Sequence, residues 1–269
     1  MNAYELGRPP GQAELLDALA HVPPRLDLAA LAIARLVTKD VDDASALATL
    51  DALGARVARR IDRGPLEALV SVLSTEEGFT GDTLTYHAPE NSSLVHVLER
   101  KQGLPITLSV LYAEVGRRAG LEVSGIGLPG HFIAKLDDEY FDPFGGGRTL
   151  SLEDCRALVE RAQATFSEKH LARVSTRAIV WRMVNNLKGT WLQQGAHEQA
   201  LQAVDLLLAV SPDHPAELRL RASLLVDLGA FVAALADLER CLALSSDSAG
   251  GEGLRRAIES VRERIGRLH

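Results

Sequence analysis

From Gln12 onward the chain repeats apolar residues at helical spacing. Leu15, Leu16 and Leu19 make one face, and the turn His21-Val22-Pro23-Pro24 ends it. Asp27 reads as the cap of a second helix, Leu28 to Val37, which polar residues close by Asp40. Asp42-Asp43 opens a longer helix to about Ile61, with Leu47, Leu50, Leu53, Val57 and Ile61 on one stripe. Gly64-Pro65 restarts a helix through Leu73, since proline suits a first helical turn. This N-terminal third reads as a helical layer whose Asp and Glu residues face solvent. Residues 1–12, polar and rich in Pro and Gly, read as a loose arm.

Gly78, Gly81 and Pro89 break the pattern between Glu76 and Asn91. Asn91 or Ser92 is then placed to cap a short helix, Ser93 to Arg100. Leu104-Pro105 leads into a central helix, 105–119, with Ile106, Ser109, Val110, Ala113 and Val115 on its buried side. Arg117 and Arg118 lie in its last turn, where they complement the helix dipole, and Gly120 follows as the terminating residue.

The period then changes to two, and residues 123–144 read as three strands. These are Val123 to Leu128, His131 to Leu136 and Glu139 to Phe144, joined by Pro129-Gly130 and Asp137-Asp138. A two-residue turn at Asp137-Asp138 pairs Leu136 with Glu139, Lys135 with Tyr140 and Ile133 with Asp142. His131 and Asp142 are then diagonal neighbours, roughly 7 Å apart between backbones, with Phe132, Ala134, Leu136 and Phe141 on the opposite face. Gly145-Gly146-Gly147 reads as a flexible turn after the last strand.

Helices resume at Ser151-Leu152-Glu153-Asp154, which resembles a capping box, and again over Ser167 to Val174. Beyond them a unit recurs: Gly195 and Gly229 are 34 residues apart, as are Ala200 and Ala234. Each glycine separates two apolar helices, and Pro212 closes the first unit, while Ser246 stands at the matching place in the second. A helix-turn-helix of this period, with Trp191, Gly195, Ala200 and Pro212 in place, resembles the tetratricopeptide repeat. A Ser/Gly break precedes a final helix, Leu254 to Ile265, whose charged outer face suits a cap. The expected division is 1–175, a helical layer with an α/β core, and 176–269, the repeats.

Composition narrows the function classes. A net charge of −7 argues against a nucleic-acid surface, and no basic cluster marks a membrane anchor. Charges interrupt every apolar run, so no segment nears the roughly 20 residues of a membrane helix. The N-terminus lacks the pattern of a signal peptide, and only Cys155 and Cys241 occur, which fits a cytoplasmic protein without disulfides. The eight His are dispersed and no ligand spacing occurs, so neither a metal nor another cofactor is expected. Gly125 to Gly130 matches G-x-G-x-x-G, but a strand follows it and Pro129 removes an N–H donor, so a dinucleotide loop is excluded.

A His oriented by a carboxylate is half of a nucleophilic triad. The nucleophile would stand at the start of the central helix, where the dipole favours a thiolate, yet this chain has Pro105 there. The ordered set NS at Asn91-Ser92, G-x-P at Gly103 to Pro105, G-L at Gly120-Leu121, P-G-H-F at Pro129 to Phe132 and D-P-F at Asp142 to Phe144 resembles SirB-type proteins. Those join a helical N-terminal part, a transglutaminase-like core and C-terminal tetratricopeptide repeats. The resemblance implies an α+β fold with a papain-like core and a small antiparallel sheet. It sets His131 and Asp142 at the His and Asp positions of the triad, with the Cys position at or beside Pro105. Cys155 and Cys241 read as buried small apolar residues. Thr107 and Ser109 are the substitute hydroxyls to be weighed, and Asn91 and Pro105 are candidates for lining the cleft. Two functions follow as expectations. One is a noncatalytic scaffold that binds protein partners through a degenerate cleft and a repeat groove. The other is a hydrolase or acyltransferase using His131 and Asp142 with an unconventional nucleophile.

Overall fold

A computed structural model describes residues 7–245 and 248–267. The chain forms two compact units, residues 13–186 and residues 187–269 with the segment up to Gln12. The first is α+β, as expected. Helices α1 (Gln12–Ala20), α2 (Leu26–Ala34), α3 (Asp43–Ala58) and α4 (Pro65–Val70) make the N-terminal layer. A two-residue strand β1 (Thr80–Gly81), helix α5 (Leu94–Arg100) and strand β2 (Gln102–Gly103) then lead to the central helix α6 (Pro105–Arg118). Strands β1 and β2 pair in parallel. Strands β3 (Val123–Ile126), β4 (Ile133–Leu136), β5 (Glu139–Asp142) and β6 (Arg148–Leu150) form an antiparallel sheet in sequence order. Helices α7 (Leu152–Arg161) and α8 (Thr176–Gln193) follow.

The hairpin register is the one the turn dictates: Leu136 pairs with Glu139, Lys135 with Tyr140 and Ala134 with Phe141. The ladder stops there. Ile133 pairs with Ile126 of β3, and Asp142 pairs with Arg148 of β6, a strand unforeseen in the sequence. Gly146 and Gly147, at φ of 73° and 82°, make the tight return into β6. One sheet face carries Ile126, Ile133 and Leu150 against Cys155 and Val159 of α7, and Phe141 on the other meets Tyr112 of α6.

Helix α6 is the centre of this unit. Every residue from Pro105 to Gly116 except Ala113 is buried, so the expected one-sided stripe becomes burial nearly all round. The cause is packing on both sides, by α2, α3 and α5 and by β3 and β4. Gly54 of α3 makes the tightest approach, for a Cβ there would overlap the Arg118 Cβ.

Several local expectations are corrected. Asp27 does not cap α2, which starts one residue earlier, and it does not face solvent. Its carboxylate is fully buried and accepts from Arg25 at 2.9 Å, Arg118 at 2.8 Å, Arg117 at 3.1 Å and the Leu28 N–H at 2.9 Å. Buried Glu114 also accepts from Arg117 at 2.8 Å and Arg118 at 2.7 Å, so these arginines serve an ion cluster rather than the dipole alone. Leu16 is exposed, and Asn91 and Ser92 lie in a 3-10 turn while Ser93 precedes α5 without a side-chain cap. Ser167 to Val174 contains only a 3-10 turn, Glu168–Leu171, whereas the capping box at Ser151 and Asp154 forms as read.

The second unit stacks α9 (His197–Val210), α10 (Pro215–Asp227), α11 (Phe231–Leu244) and α12 (Ser248–Gly266) as antiparallel helices. Gly195 and Gly229 turn the chain at φ of 68° and 77°, conformations costly for a residue with a Cβ. Arg221 of α10 bridges Asp205 of α9 at 2.8 Å and Asp237 of α11 at 2.6 Å. The last helix begins at Ser248, so part of the Ser/Gly tract is helical. Ser246 and Asp247 lie outside the described residues, as do residues 1–6 of the arm expected over residues 1–12. A groove of about 390 Å³ runs between α10 and α12, lined by Arg219, Ser223 and Val226 and by Leu254, Val261 and Arg264. Among the described residues no helix is long and apolar enough to cross a membrane.

Removing Asp27 leaves Arg25 without an acid and takes one of the two acceptors that Arg117 and Arg118 share, Glu114 being the other. Asp27→Ala is expected to cost about 1–3 kcal/mol, measured by urea denaturation, since Arg118 keeps Glu114 and Asp51. Burial alone would raise the Asp27 pKa, but Arg25, Arg118 and the Leu28 N–H outweigh it and lower it from 3.8 to about 2. The folded value lies below the unfolded one, so this stabilisation is full above that range and is lost as pH falls toward 2. Asp27→Asn is expected to flatten that part of the stability-against-pH curve.

Candidate functional site

The site forms where the start of α6 meets the loops around β4 and β5. Leu104, extended at φ −74° and ψ 160°, precedes Pro105, which occupies the first helical position. The Leu104 N–H donates to the Asn91 carbonyl at 3.1 Å, which ties the helix start to the 3-10 turn before α5. His131 follows the Leu128 to His131 turn, and Asp142 ends β5. The His131 Nε2 donates to Asp142 Oδ1 at 3.1 Å, and the Phe144 N–H donates to the same oxygen at 3.0 Å. With Nε2 as the donor, Nδ1 of a neutral ring is an acceptor, and it has no partner among the described residues.

The loop after β5 wraps this carboxylate: the Gly147 N–H returns to the Asp142 carbonyl at 2.8 Å. Phe144 sets its ring edge-to-face with His131 at 5.9 Å and with Tyr86 at 6.0 Å. Gly81 makes room for that ring, since a Cβ there would overlap it, and the Gly81 N–H donates to the Phe144 carbonyl at 2.9 Å. A cleft of about 150 Å³ opens in front of the pair, lined by Tyr86, Pro105, Gly130, His131, Phe132 and Arg182, among others.

The structure brings Pro105, His131 and Asp142 together. It leaves the hydroxyl candidates out. Ser109 is buried and donates to the Pro105 carbonyl at 2.8 Å, and Thr107 is buried with no hydrogen-bond partner. Neither lines the cleft. Asn91 is fully buried behind it, where its Nδ2 donates to the Thr85 carbonyl at 2.7 Å and to Asp82 at 3.1 Å. Its Oδ1 has no partner. Cys155 and Cys241 are both buried, and burial raises both thiols. Among the described residues no cluster of three His, Cys, Asp or Glu could hold a metal ion.

Three residues of the site were not singled out in the sequence. Asp82 is buried and accepts from Thr85 through hydroxyl and N–H and from Leu84 N–H at 3.0 Å. Those bonds, Thr85 first, hold its carboxyl near 2 and set the loop that carries Tyr86. The local signal was an Asp two and three residues before the N–H groups it accepts, a pattern of turns. The third is Arg182 of α8, whose guanidinium stacks on Phe132 at 5.1 Å and donates to the Leu128 carbonyl at 3.1 Å. It lies about fifty residues from its partners along the chain and carries no local signature.

A family model for the transglutaminase-like superfamily matches residues 44–185, and one for the tetratricopeptide repeat matches residues 187–265. A UPF0162 protein of Pseudomonas aeruginosa is 33% identical over 241 residues, covering 86% of this chain and 89% of that one. A UPF0162 protein of Xylella fastidiosa is 36% identical over 180 residues, and the match spans 63% of its length. F-box only protein 21 of Mus musculus is 29% identical over 180 residues, 61% of this chain and 28% of that protein. No solved structure matches. The chain belongs to the transglutaminase-like superfamily and to the UPF0162 proteins.

Asp142→Ala strands both the His131 Nε2–H and the Phe144 N–H in a buried place. A loss of about 1–3 kcal/mol is expected, read as a lower urea midpoint with an unchanged slope.

Proposed function

We propose that this chain is a noncatalytic, cytoplasmic protein-interaction scaffold of the SirB type, with a binding cleft where related folds carry a triad. The observation that carries the reading is Pro105 at the head of α6, in the cleft with His131. A proline side chain has no atom that His131 could activate. The bond from Ser109 to the Pro105 carbonyl, and the seclusion of Thr107, support the same reading.

Tetratricopeptide repeats generally mediate protein–protein contact, and the groove between α10 and α12 is the surface assigned to it here. Arg219 and Arg264 on that groove favour an acidic partner segment. Occurrence of the core within F-box only protein 21, of which it makes a minor share, supports a module joined to other parts.

The test begins with a partner recovered on the immobilised chain, purified and titrated back. Stoichiometric binding should survive His131→Ala and weaken at least tenfold in the double variant Arg219→Glu, Arg264→Glu. Equal affinity in the double variant would remove the groove from the reading. Separately, a broad panel of electrophilic acyl probes is expected to leave Thr107 and Ser109 unlabelled by mass spectrometry. Labelling of either that vanishes in His131→Ala would replace the scaffold with an enzyme.

A further inference from the structure

Most of the well-packed arginines in this chain have a carboxylate. Arg118 has Asp27, Glu114 and Asp51; Arg221 has Asp205 and Asp237; Arg35 has Asp43. Arg182 is the exception among the half-buried guanidinium groups. Its Nη2 donates to the Leu128 carbonyl at 3.1 Å and the His131 carbonyl at 3.3 Å, its plane lies over Phe132, and no acid pairs with it among the described residues. Burial lowers its pKa, the direction expected of a cation with nothing opposite it. The fold makes room for this placement, because a Cβ at Gly127 would overlap Nη1.

A partly buried cation without a counter-ion is costly to keep. Here it faces a cleft that holds other unspent donors. Pro105 and Ile106 line the same cavity; Pro105 has no N–H and Leu104 gives its own to Asn91, so the Ile106 and Thr107 N–H groups are the ones of the first turn left without a helical acceptor. The helix start adds roughly half a positive charge. Nothing acidic lines the cavity, and Asp142 is engaged by His131 and the Phe144 N–H.

We infer that the cleft beside His131 is a subsite for a single carboxylate group, with Arg182 as its counter-ion. Charge selects the ligand class. The one guanidinium lining the cavity is neutralised by a single carboxylate, whereas a phosphate at about −1.5 to −2 exceeds it and leaves the surplus to the partial charge of the helix start. The cavity of about 150 Å³ takes a carboxylate with a short stem. On a protein partner that group is either a chain terminus or an acidic side chain. This inference deepens the reading of the cleft as a binding site and is independent of the repeat groove.

The test titrates the isotope-labelled full chain with four probes while following the Arg182 Nε–H and His131 ring resonances. N-acetylglycine presents a terminal carboxylate, and N-acetylglutamate α-amide, capped at its main-chain carboxyl only, presents an acidic side chain. N-acetylglycinamide is the neutral isostere, and inorganic phosphate is the dianion control. Saturable shifts from one or both carboxylates, absent with the amide, are expected, and the tighter of the two identifies the source. Affinity should fall at least tenfold in Arg182→Gln. It should also fall in Gly127→Ala, where the added methyl displaces the guanidinium but keeps its charge. Gly127→Ala carries the test should Arg182→Gln fail to fold. Unchanged titrations in both variants, no saturable shift from either carboxylate, or Arg182-dependent binding of phosphate alone would overturn the subsite. Partner binding at the repeat groove that persists through such a failure would leave the scaffold reading standing.

Discussion

Asp27 is the point on which the first unit is hung. A carboxylate with no exposure must be matched donor for donor, because an unmatched buried charge costs several kcal/mol. The match comes from three arginines and the Leu28 N–H, and two of those arginines sit on the last turn of α6. Arg118 continues to Asp51 of α3, so one guanidinium joins three helices. The absence of a side chain at Gly54 lets α3 come close enough for that bond. The cluster therefore fixes the rotation and height of α6, and everything at the other end of the helix inherits that position.

The two ends of α6 are opposite in character. At the C-terminal end both arginines are paired with acids, and Gly120 closes the helix at φ 83°. At the N-terminal end Pro105 spends no donor, Leu104 is tied back to Asn91, and the cleft gathers a histidine and an arginine without an acid. A rigid helix held firmly at one end presents the other as a fixed wall. Loops complete the wall: the Asp82 turn brings Tyr86, and the Asp142 to Gly147 return brings Phe144. The Phe144 ring packs edge-to-face on both His131 and Tyr86.

The legible parts of this arrangement were those with a local cause. A two-residue turn at Asp137-Asp138 and the period of two fix the hairpin register, and with it the neighbourhood of His131 and Asp142. The glycines that end helices, and the 34-residue recurrence, act over a few residues each and could be read directly. Asp27 was misread because an acid at a helix start looks the same whether it caps or pairs with arginines about ninety residues away. Strand β6 was missed because three residues after a glycine run, two of them exposed, have no alternation to read. Arg182 was invisible for the same reason as Asp27: its surroundings come from β3, β4 and the turn between them, not from its own helix.

Residues with a structural reason to exist say less about function than residues without one. His131 and Asp142 satisfy each other and the Phe144 N–H, so each is kept by what its loss would strand. Their pairing is stable whether or not any atom is activated beside it, and so it does not by itself imply chemistry. Asp27, Glu114 and the arginines around them are explained in the same way, entirely by one another. Arg182 is not explained in this way. Two carbonyls and a ring face return only part of what a guanidinium loses on leaving water, and no carboxylate pairs with it among the described residues. A neutral side chain of similar length could bond those carbonyls at lower cost. What the fold leaves unmatched is the full charge, and the inferred carboxylate on the open side of the cleft would match it.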